Sequence, residues 1–547
     1  MDTEQAFETA SDYIAAIMRR NRSPAEDWSL KPDWADQPRM HNVYPGVTPV
    51  PLPAAKVELA SLEASLAGQP PGDGGAFTLP MLYEMLRDSY AYGGRRLAVT
   101  VNDDTVALPH YPRAVWSRGT ASGGGLYPLE IYWVCGPGGP MLPGVYNYSP
   151  AQHGVQRLLI GDVTSQVRQA IAPAEAVGDQ FLLVTVKFWK NTFKYEAFGY
   201  HVVTMDVGTA LGTWQLWSRA AGVPLRPLLT FDEEALNRLL GVRTHEESVF
   251  AVVPLPGGGG PSPEGRPGLR VTAVPAERSR TVVRHPAVER VHASTVATPP
   301  PGDAPADQLK AARPGHSGGS GCSGGSGSGD AIKLADPLPL DATVRDALRA
   351  RRSSFGRFSA HHRLGQAELA AVLRAGTLGA RLVSDVKQPD GTPELTRLAV
   401  LAGHVDGVPP DAYDYDLATN TLLPLGVGVS ASFLQRNYFL NNYNLEQVAA
   451  VVTVLARPHA VITATGQRGY RFLNAEVGAA AQAMYLAAAA ANIGCGAALG
   501  FDNVSYAEHL DRRRDPGGDD DAREWPLLIV MLGHERQKAP DFRFRLR

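Results

Sequence analysis

The feature that most constrains this chain is an internal repeat. Residues 198–210 (FGYHVVTMDVGTA) align without a gap with residues 468–480 (RGYRFLNAEVGAA), so residue 198 corresponds to residue 468. The constant distance along the chain between such corresponding residues is the repeat offset. PGVYNYSP at 143–150 is likewise similar to PPDAYDYDL at 409–417. Similar segments in the same order favour two homologous halves in one chain. A length of 547 residues is sufficient for two or more domains.

A change of composition separates the halves. Residues 257–330 are dense in Gly, Pro and Ser, and residues 317–329 contain only Ser and Gly apart from Cys322. So long a structureless stretch is typical of a linker, although GLRVTAV at 268–274 is a candidate strand. The predicted organisation is an N-terminal helical and extended region at 1–74, a first half at 75–256, a linker at 257–334 and a second half at 335–547.

Both halves show the same alternation of helices and strands, which predicts an α+β fold. The predicted helices are 3–20, 201–223 and 472–493. The predicted strands are 129–135, 181–188 and 248–255 in the first half, and 396–402, 448–456 and 526–532 in the second.

The segment Val477–Phe501 carries no charge and is long enough to span a bilayer. It is rich in Ala and Gly and contains Gln482 and Asn492, so we predict a helix buried in a protein core, and no membrane partner.

Charge and cysteine usage exclude several classes of function. A formal net charge of −3 gives no electrostatic reason to expect nucleic acid or an anionic membrane as a partner. Three cysteines and no CxxC or His/Cys cluster argue against a disulfide framework or a metal site and fit a reducing cytoplasm. Gly319–Gly324 satisfies GxGxxG, but it lies in a Gly/Ser run without a preceding strand, so we attribute it to chance.

The first candidate site is a Gly-rich segment that runs from Arg118 to Pro128. Successive glycines, including Gly123 and Gly124, let the backbone approach a flat ligand, and Ser122 can donate a hydrogen bond to a polar ring edge. The structural alternative is an ordinary loop before a strand.

The second candidate is an arginine-rich segment that contains Arg351, Arg352, Ser353 and Arg357. Guanidinium groups that donate in a bidentate way, together with hydroxyls, suit a phosphate monoester. A solvated basic face is the alternative.

The third candidate is the adjacent pair Lys194 and Tyr195, which follows a predicted buried strand and precedes a long helix. Two neighbouring groups able to move protons suggest acid–base chemistry. A surface Lys beside a core Tyr is the alternative.

Together these residues carry a resemblance. Arg118, Ser122-Gly-Gly and Tyr127-Pro-Leu-Glu130 resemble the RxxxSGGxxYPLE signature of the SagB-type (streptolysin/microcin-type) dehydrogenases of the nitroreductase superfamily. Residues 351–358 resemble the superfamily's RRSxRxF start, and residues 33–38 (DWADQP) resemble the DWANQP element. Lys194 and Tyr195 coincide with the family's catalytic pair. The resemblance covers about 25–255 and 335–535.

The resemblance implies two tandem nitroreductase-like domains that form an intramolecular pseudodimer, with a higher oligomer left open. It implies an FMN enzyme that oxidises thiazolines or oxazolines in a ribosomally made precursor peptide, beside a cyclodehydratase, with reoxidation by dioxygen. Lys194 or Tyr195 takes the proton, and sequence does not decide between them. Leu499 and Gly500 lie in the segment whose backbone meets the flavin edge.

The two halves have lost different parts of this site. The first half keeps the Gly-rich segment and the Lys–Tyr pair, but it has no Arg between Met40 and Leu86. The second half keeps the arginines, but Lys387–Pro393 replaces the Gly-rich segment and Ala464-Thr465 replaces the pair. We therefore predict one composite FMN site per chain.

Three departures leave questions open. Phe355 stands where the family has its last Arg, so the sequence does not choose among the arginines for phosphate, and Phe198 and His201 replace arginines common in the family. Two alternative functions remain: reduction of quinones or nitro compounds with NAD(P)H, and a flavin-binding scaffold for a peptide-modifying complex.

Overall fold

The computed structural model describes most of the chain. The described residues are 9–23, 32–68, 75–98, 101–103, 107–110, 113–172, 178–257, 268–297, 311–315, 330–386, 394–511, 523–536 and 542–546. The strands are β1 (Val50–Pro51), β2 (Gly94–Ala98), β3 (Val101–Asp103), β4 (Ala107–His110), β5 (Arg113–Ser117), β6 (Leu129–Cys135), β7 (Gly144–Ser149), β8 (Gly154–Ile160), β9 (Gln180–Lys187), β10 (Glu247–Pro254), β11 (Ile332–Lys333), β12 (Thr396–Ala402), β13 (Asp411–Asp416), β14 (Thr421–Pro424), β15 (Ala450–Ala456), β16 (Gly494–Ala498), β17 (Trp525–Gly533) and β18 (Arg543–Arg545). The α-helices are Ala10–Arg19, Leu62–Leu66, Leu79–Ser89, Thr164–Ala170, Trp189–Tyr195, Gly199–Ala220, Glu233–Leu240, Pro286–Ala297, Val344–Ala350, Gln366–Ala380, Ala431–Arg436, Pro458–Thr465, Gly469–Ala490 and Asn503–Leu510.

Each half is built on an antiparallel sheet of the same design. The first sheet has the order β1-β8-β7-β6-β9-β10 and the second has the order β11-β14-β13-β12-β15-β17-β16. β6 and β9 are buried along nearly their whole length, as are their counterparts β12 and β15, because helices cover the sheets. The two halves are therefore repeats in structure as well as in sequence.

Two long helices, Gly199–Ala220 and Gly469–Ala490, form the centre of the molecule. They are equal in length, and both their starts and their ends are related by the offset of the sequence repeat. They pack reciprocally: Gly208 lies against Ala475, and Gly478 lies against Met205. A Cβ on Gly208 or on Gly478 would collide with the facing carbonyl oxygen, so glycine is needed for this close approach.

Polar contacts between the two central helices are reciprocal as well. Arg471 Nε donates to the Tyr200 hydroxyl at 3.0 Å, and the His201 ring is hydrogen-bonded to the Tyr470 hydroxyl. Such an exchange, in which residue i meets j and j meets i, is the mark of a two-fold interface. The prediction of an intramolecular pseudodimer with an α+β fold is confirmed.

Some predicted elements differ in extent. The uncharged stretch from Val477 is buried helix only to Ala490, and its remainder forms a turn and β16. Within the described residues, no helix has the length and apolarity needed to cross a membrane. The N-terminal helix covers Ala10–Arg19 of the predicted 3–20, and residues 1–8 lie outside the described residues.

Part of the predicted linker is ordered. Pro286–Ala297 forms a helix whose Ala287, Val288 and Val291 are buried, and this apolar face explains why it packs instead of remaining a free coil. Residues 268–274 form no strand, although Val271 is buried in the first half. The Gly/Ser run and its GxGxxG match lie outside the described residues. The domain boundaries themselves stay a prediction.

Candidate functional site

The Gly-rich segment is fastened to the first central helix by Asp206. The carboxylate accepts hydrogen bonds from Ser122 Oγ at 2.6 Å and from Gly123 N at 2.8 Å. Ser122 Oγ in turn accepts from Tyr127 N at 2.9 Å. Ser122 is therefore occupied in holding the segment in shape.

Sequence reasoning missed Asp206. Burial raises its pKa from 3.8 to about 7. Its counterpart at the repeat offset is Glu476, which accepts from Leu395 N at 3.0 Å and whose pKa is raised by burial to about 8. The signal was present in the repeat, because DVG and EVG put an acid at the same position of two apolar helices.

Lys194 and Tyr195 end the short helix Trp189–Tyr195 and lie directly against the Gly-rich segment. Lys194 Nζ donates to the Tyr195 hydroxyl at 3.1 Å, and both side chains are partly buried. Gly124 has a φ of +63°, and a Cβ on it would lie 2.5 Å from the Tyr195 hydroxyl and 3.0 Å from Lys194 Nζ. Two of the three predicted motifs thus share one surface.

Two other residues that carry the resemblance, Glu130 and Trp34, hold the helix that ends in Lys194 and Tyr195. Glu130 forms a buried ion pair with Lys190 in the first turn of that helix and also accepts from Asn42 N at 2.8 Å. The ring of Trp34, from the DWADQP element, packs edge-on to Phe193 with centroids 5.2 Å apart. These contacts fix the helix and thereby the position of the pair at its end.

Arg351 connects the second half to this surface. It is buried, and its guanidinium donates to the Gly119 carbonyl at 2.6 Å and the Arg118 carbonyl at 2.9 Å. Ser353 Oγ lies 3.0 Å from the Tyr485 hydroxyl, and that hydroxyl accepts a hydrogen bond from Ala497 N. The structure therefore brings the arginine-rich segment and the Gly-rich segment together from opposite halves.

The other two candidate arginines have different surroundings. Arg352 is ion-paired with Glu535, which also accepts from Ser354 Oγ at 2.6 Å. Arg357 is buried, and its carbonyl accepts from Arg536 N at 2.7 Å. Arg351 and Arg352 line the cavity described next, whereas Arg357 is not among its lining residues.

A cationic cavity of about 760 Å³ lies between the halves beside Arg351. The arginines that line it are Arg87, Arg95, Arg96, Arg118, Arg349, Arg351, Arg352 and Arg545. Arg118 lies under three tyrosine rings, the nearest being Tyr127 at 4.2 Å, and its Nε and Nη1 are buried without a hydrogen-bond partner among the described residues, as is Arg96 Nη1. Buried cationic donors without partners suit an anionic ligand.

Leu499 and Gly500, which the resemblance predicts to meet the flavin edge, have pseudosymmetric counterparts in a different environment. Leu229 and Thr230, at the repeat offset from Leu499 and Gly500, donate their amides to the two oxygens of Asp385 at 2.7 and 2.9 Å. Within the described part of the chain, the amides of Leu499 and Gly500 make no hydrogen bond. One copy is closed by the chain's own carboxylate, and the other has two amides available to a ligand.

The closed copy also lacks the Lys–Tyr pair. Ala464 and Thr465 stand at the corresponding positions, and Thr465 Oγ1 donates to the Val461 carbonyl at 2.7 Å. Lys387–Pro393, where the Gly-rich segment is replaced, lies outside the described residues.

A solved structure with the same architecture identifies the fold. The chain is similar over 96% of its length to 99% of a putative nitroreductase from Anabaena variabilis, with 22% identity and a TM-score of 0.65. This is the nitroreductase fold. A sequence model described as the nitroreductase family matches residues 383–534.

Two other similar structures match a smaller share of the chain. A putative nitroreductase from Ralstonia eutropha matches 41% of this chain and 95% of its own, with 18% identity and a TM-score of 0.30. The E. coli microcin synthetase complex matches 41% of this chain and 77% of its own, with 16% identity and a TM-score of 0.28. No curated protein matches the chain in sequence.

Proposed function

We propose that the protein is an FMN-dependent dehydrogenase that oxidises thiazolines or oxazolines in a ribosomally made precursor peptide to thiazoles or oxazoles. The observation that carries the proposal is the position of Lys194 and Tyr195 beside Gly124, where an added Cβ would lie 3.0 Å from Lys194 Nζ and 2.5 Å from the Tyr195 hydroxyl. It puts a proton-handling pair at the edge of a surface that a flat ring can approach. A reductase that only relays electrons needs no such pair.

The residues present fit FMN. The cationic cavity offers Arg351, Arg352 and the unpartnered nitrogens of Arg118 to a phosphate. The Leu499 and Gly500 amides are available to the polar edge of a ring. One FMN per chain follows, because Asp385 closes the other copy of the site.

FMN, when bound, supplies a two-electron acceptor for a substrate carbon. Oxidation of an azoline removes a hydride and a proton, and the ring becomes aromatic. The carbon-bound hydrogen lies between an imine and an amide and is weakly acidic. The proton can go to Lys194 as a neutral amine or to Tyr195 as a phenolate, and the hydrogen bond of 3.1 Å between Lys194 Nζ and the Tyr195 hydroxyl lets the other group stabilise the product of that transfer.

The partners of such an enzyme are the azoline-containing peptide and the cyclodehydratase that makes the azolines, and dioxygen is the proposed final oxidant. The cytoplasm is the proposed location. Reduction of quinones or nitro compounds with NAD(P)H and a role as a flavin-binding scaffold are the alternatives that the following experiment separates.

The test uses Lys194→Ala and Tyr195→Phe, with Thr465→Ala as the control at the pseudosymmetric position. Each of the first two variants is expected to keep bound FMN and to form azoles at a rate roughly 10²- to 10⁴-fold lower than the parent. Mass spectrometry measures the reaction as the loss of two hydrogens per ring. Thr465→Ala is expected to react at the parental rate. A flavin-bound double variant that still forms azoles at the parental rate would contradict the proposal, as would NAD(P)H-dependent nitro reduction without any azole formation.

A further inference from the structure

Arg468 lies in the closed copy of the site, and the first half has no arginine at the corresponding position. Arg468 donates to the Phe231 carbonyl at 3.0 Å and is paired with Glu233 at 3.3 Å. In the first half, these contacts connect Phe231, which follows Leu229 and Thr230, with the start of the helix Glu233–Leu240. At the repeat offset the first half has Phe198, which cannot make either contact.

Arg20 makes the corresponding contacts in the open copy. Its guanidinium donates to the Phe501 carbonyl at 3.2 Å and to Asn503 Oδ1 at 2.6 Å. Phe501 and Asn503 are the counterparts of Phe231 and Glu233 at the repeat offset. The Arg20 guanidinium also lies 4.5 Å above the ring of Phe198, the residue that replaced the arginine.

Arg20 makes one more contact, which Arg468 does not make within the described residues. Its Nη2 donates to the Leu499 carbonyl at 2.6 Å. The Leu499 carbonyl and the Gly500 amide belong to one peptide group, and a charged donor on the oxygen makes the N–H a stronger donor. That N–H is one of the two amides that remain available in the open copy.

We propose that Arg20 is a positioning residue of the flavin site. The N-terminal helix supplies the arginine that the first half lost, and that arginine orients and polarises the Leu499–Gly500 peptide toward the flavin edge. The inference rests on the proposed function, because it assumes that this peptide faces FMN.

The N-terminal helix is held in place by both halves. Ala10 N donates to Gln467 Oε1 at 2.7 Å in the second half, and the Tyr13 hydroxyl donates to the Ala197 carbonyl at 2.7 Å in the first. Tyr13 and Ile14 are fully buried. A helix fixed at these points delivers Arg20 in one orientation, as a positioning role requires.

The experiment compares Arg20→Gln and Arg20→Lys with Arg22→Ala, in the full-length protein. Arg22 lies close by in the chain, is paired with Glu508 at 3.0 Å and has 46% of its side chain exposed, so its removal disturbs only the docking of this segment. The readouts are the dissociation constant for FMN and the reduction potential of the bound flavin. Thermal unfolding checks the fold.

Loss of a cation near the flavin edge weakens binding of the reduced, more negative flavin more than that of the oxidised form. For Arg20→Gln we expect a roughly tenfold larger loss for reduced flavin, which lowers the potential by about 30 mV for a two-electron couple. Arg20→Lys should restore part of the shift, and Arg22→Ala should keep the parental potential.

An Arg20→Gln protein with parental potential and affinity would overturn the inference alone, and so would an equal shift in Arg22→Ala. A parent protein that binds no FMN would overturn the proposed function, and the inference with it.

Discussion

Gly124 and Gly125 provide a matched pair of substitutions for testing the shared surface. Both glycines have a left-handed backbone, with φ of +63° and +69°. Alanine at either position therefore costs about 1 to 2 kcal/mol in backbone strain. The positions differ in what a Cβ meets: at Gly124 it lies 2.5 Å from the Tyr195 hydroxyl, and at Gly125 no described atom lies within 4 Å.

We expect Gly124→Ala and Gly125→Ala to lower the free energy of unfolding by similar amounts. Only Gly124→Ala must also displace Tyr195 or Lys194, because a separation of 2.5 Å is far below van der Waals contact. A displacement of about 1 Å in a reacting group costs on the order of 10²-fold in rate. The assay is azole formation under single-turnover conditions with FMN saturating, together with thermal unfolding of both variants.

Equal rates of azole formation in the two variants would contradict a role of the Lys–Tyr pair at this surface. A slower Gly125→Ala would contradict it as well, because the strain would then act through the loop itself and not through the Lys–Tyr pair.

Three further predictions concern the anchors around the site. Arg351→Ala should weaken FMN binding roughly ten- to a hundred-fold in a titration, because a charge-assisted contact contributes about 1.5 to 3 kcal/mol, while the exposed Arg363→Ala should not. The free energy of unfolding should fall as pH rises from about 4 to 7, because burial raises the pKa of both Asp206 and Glu476, so the folded chain holds protons that the unfolded chain releases. Asp206→Asn should reduce this slope in urea unfolding at several pH values, and an unchanged slope would exclude Asp206 as a contributor. Asp385→Ala should lower the melting temperature, because two partly buried amides lose their acceptor, but it should leave flavin content and azole formation unchanged. A second FMN in Asp385→Ala would show that the carboxylate alone blocks the closed copy.

The central helices and most sheet strands could be predicted from the sequence. β6 and β12 lie at the predicted residues, and each central helix begins slightly before its predicted start, at Gly199 and at Gly469. Long apolar segments specify elements of this kind because few other structures bury so many side chains. The constant offset predicted two homologous halves, and the resemblance implied that these halves pair as a pseudodimer.

The site was harder to predict, because its contacts join distant parts of the chain. Arg351 was identified, but its acceptors, the carbonyls at 118 and 119, follow from packing and not from a local pattern. Arg20 follows a short amphipathic helix, where a terminal arginine is ordinary, so nothing local indicates its role. The repeat contains the missing information: comparing Phe198 with Arg468 shows which contact must be supplied from elsewhere.

The ratio of FMN to chain tests the central claim most directly. Flavin released from denatured, FMN-saturated protein should approach one per chain, because the Leu499 and Gly500 amides make no hydrogen bond to the described residues, whereas those of Leu229 and Thr230 are held by Asp385. A reproducible ratio near two would contradict the single composite site, and a ratio near zero after saturation would contradict the flavin site altogether.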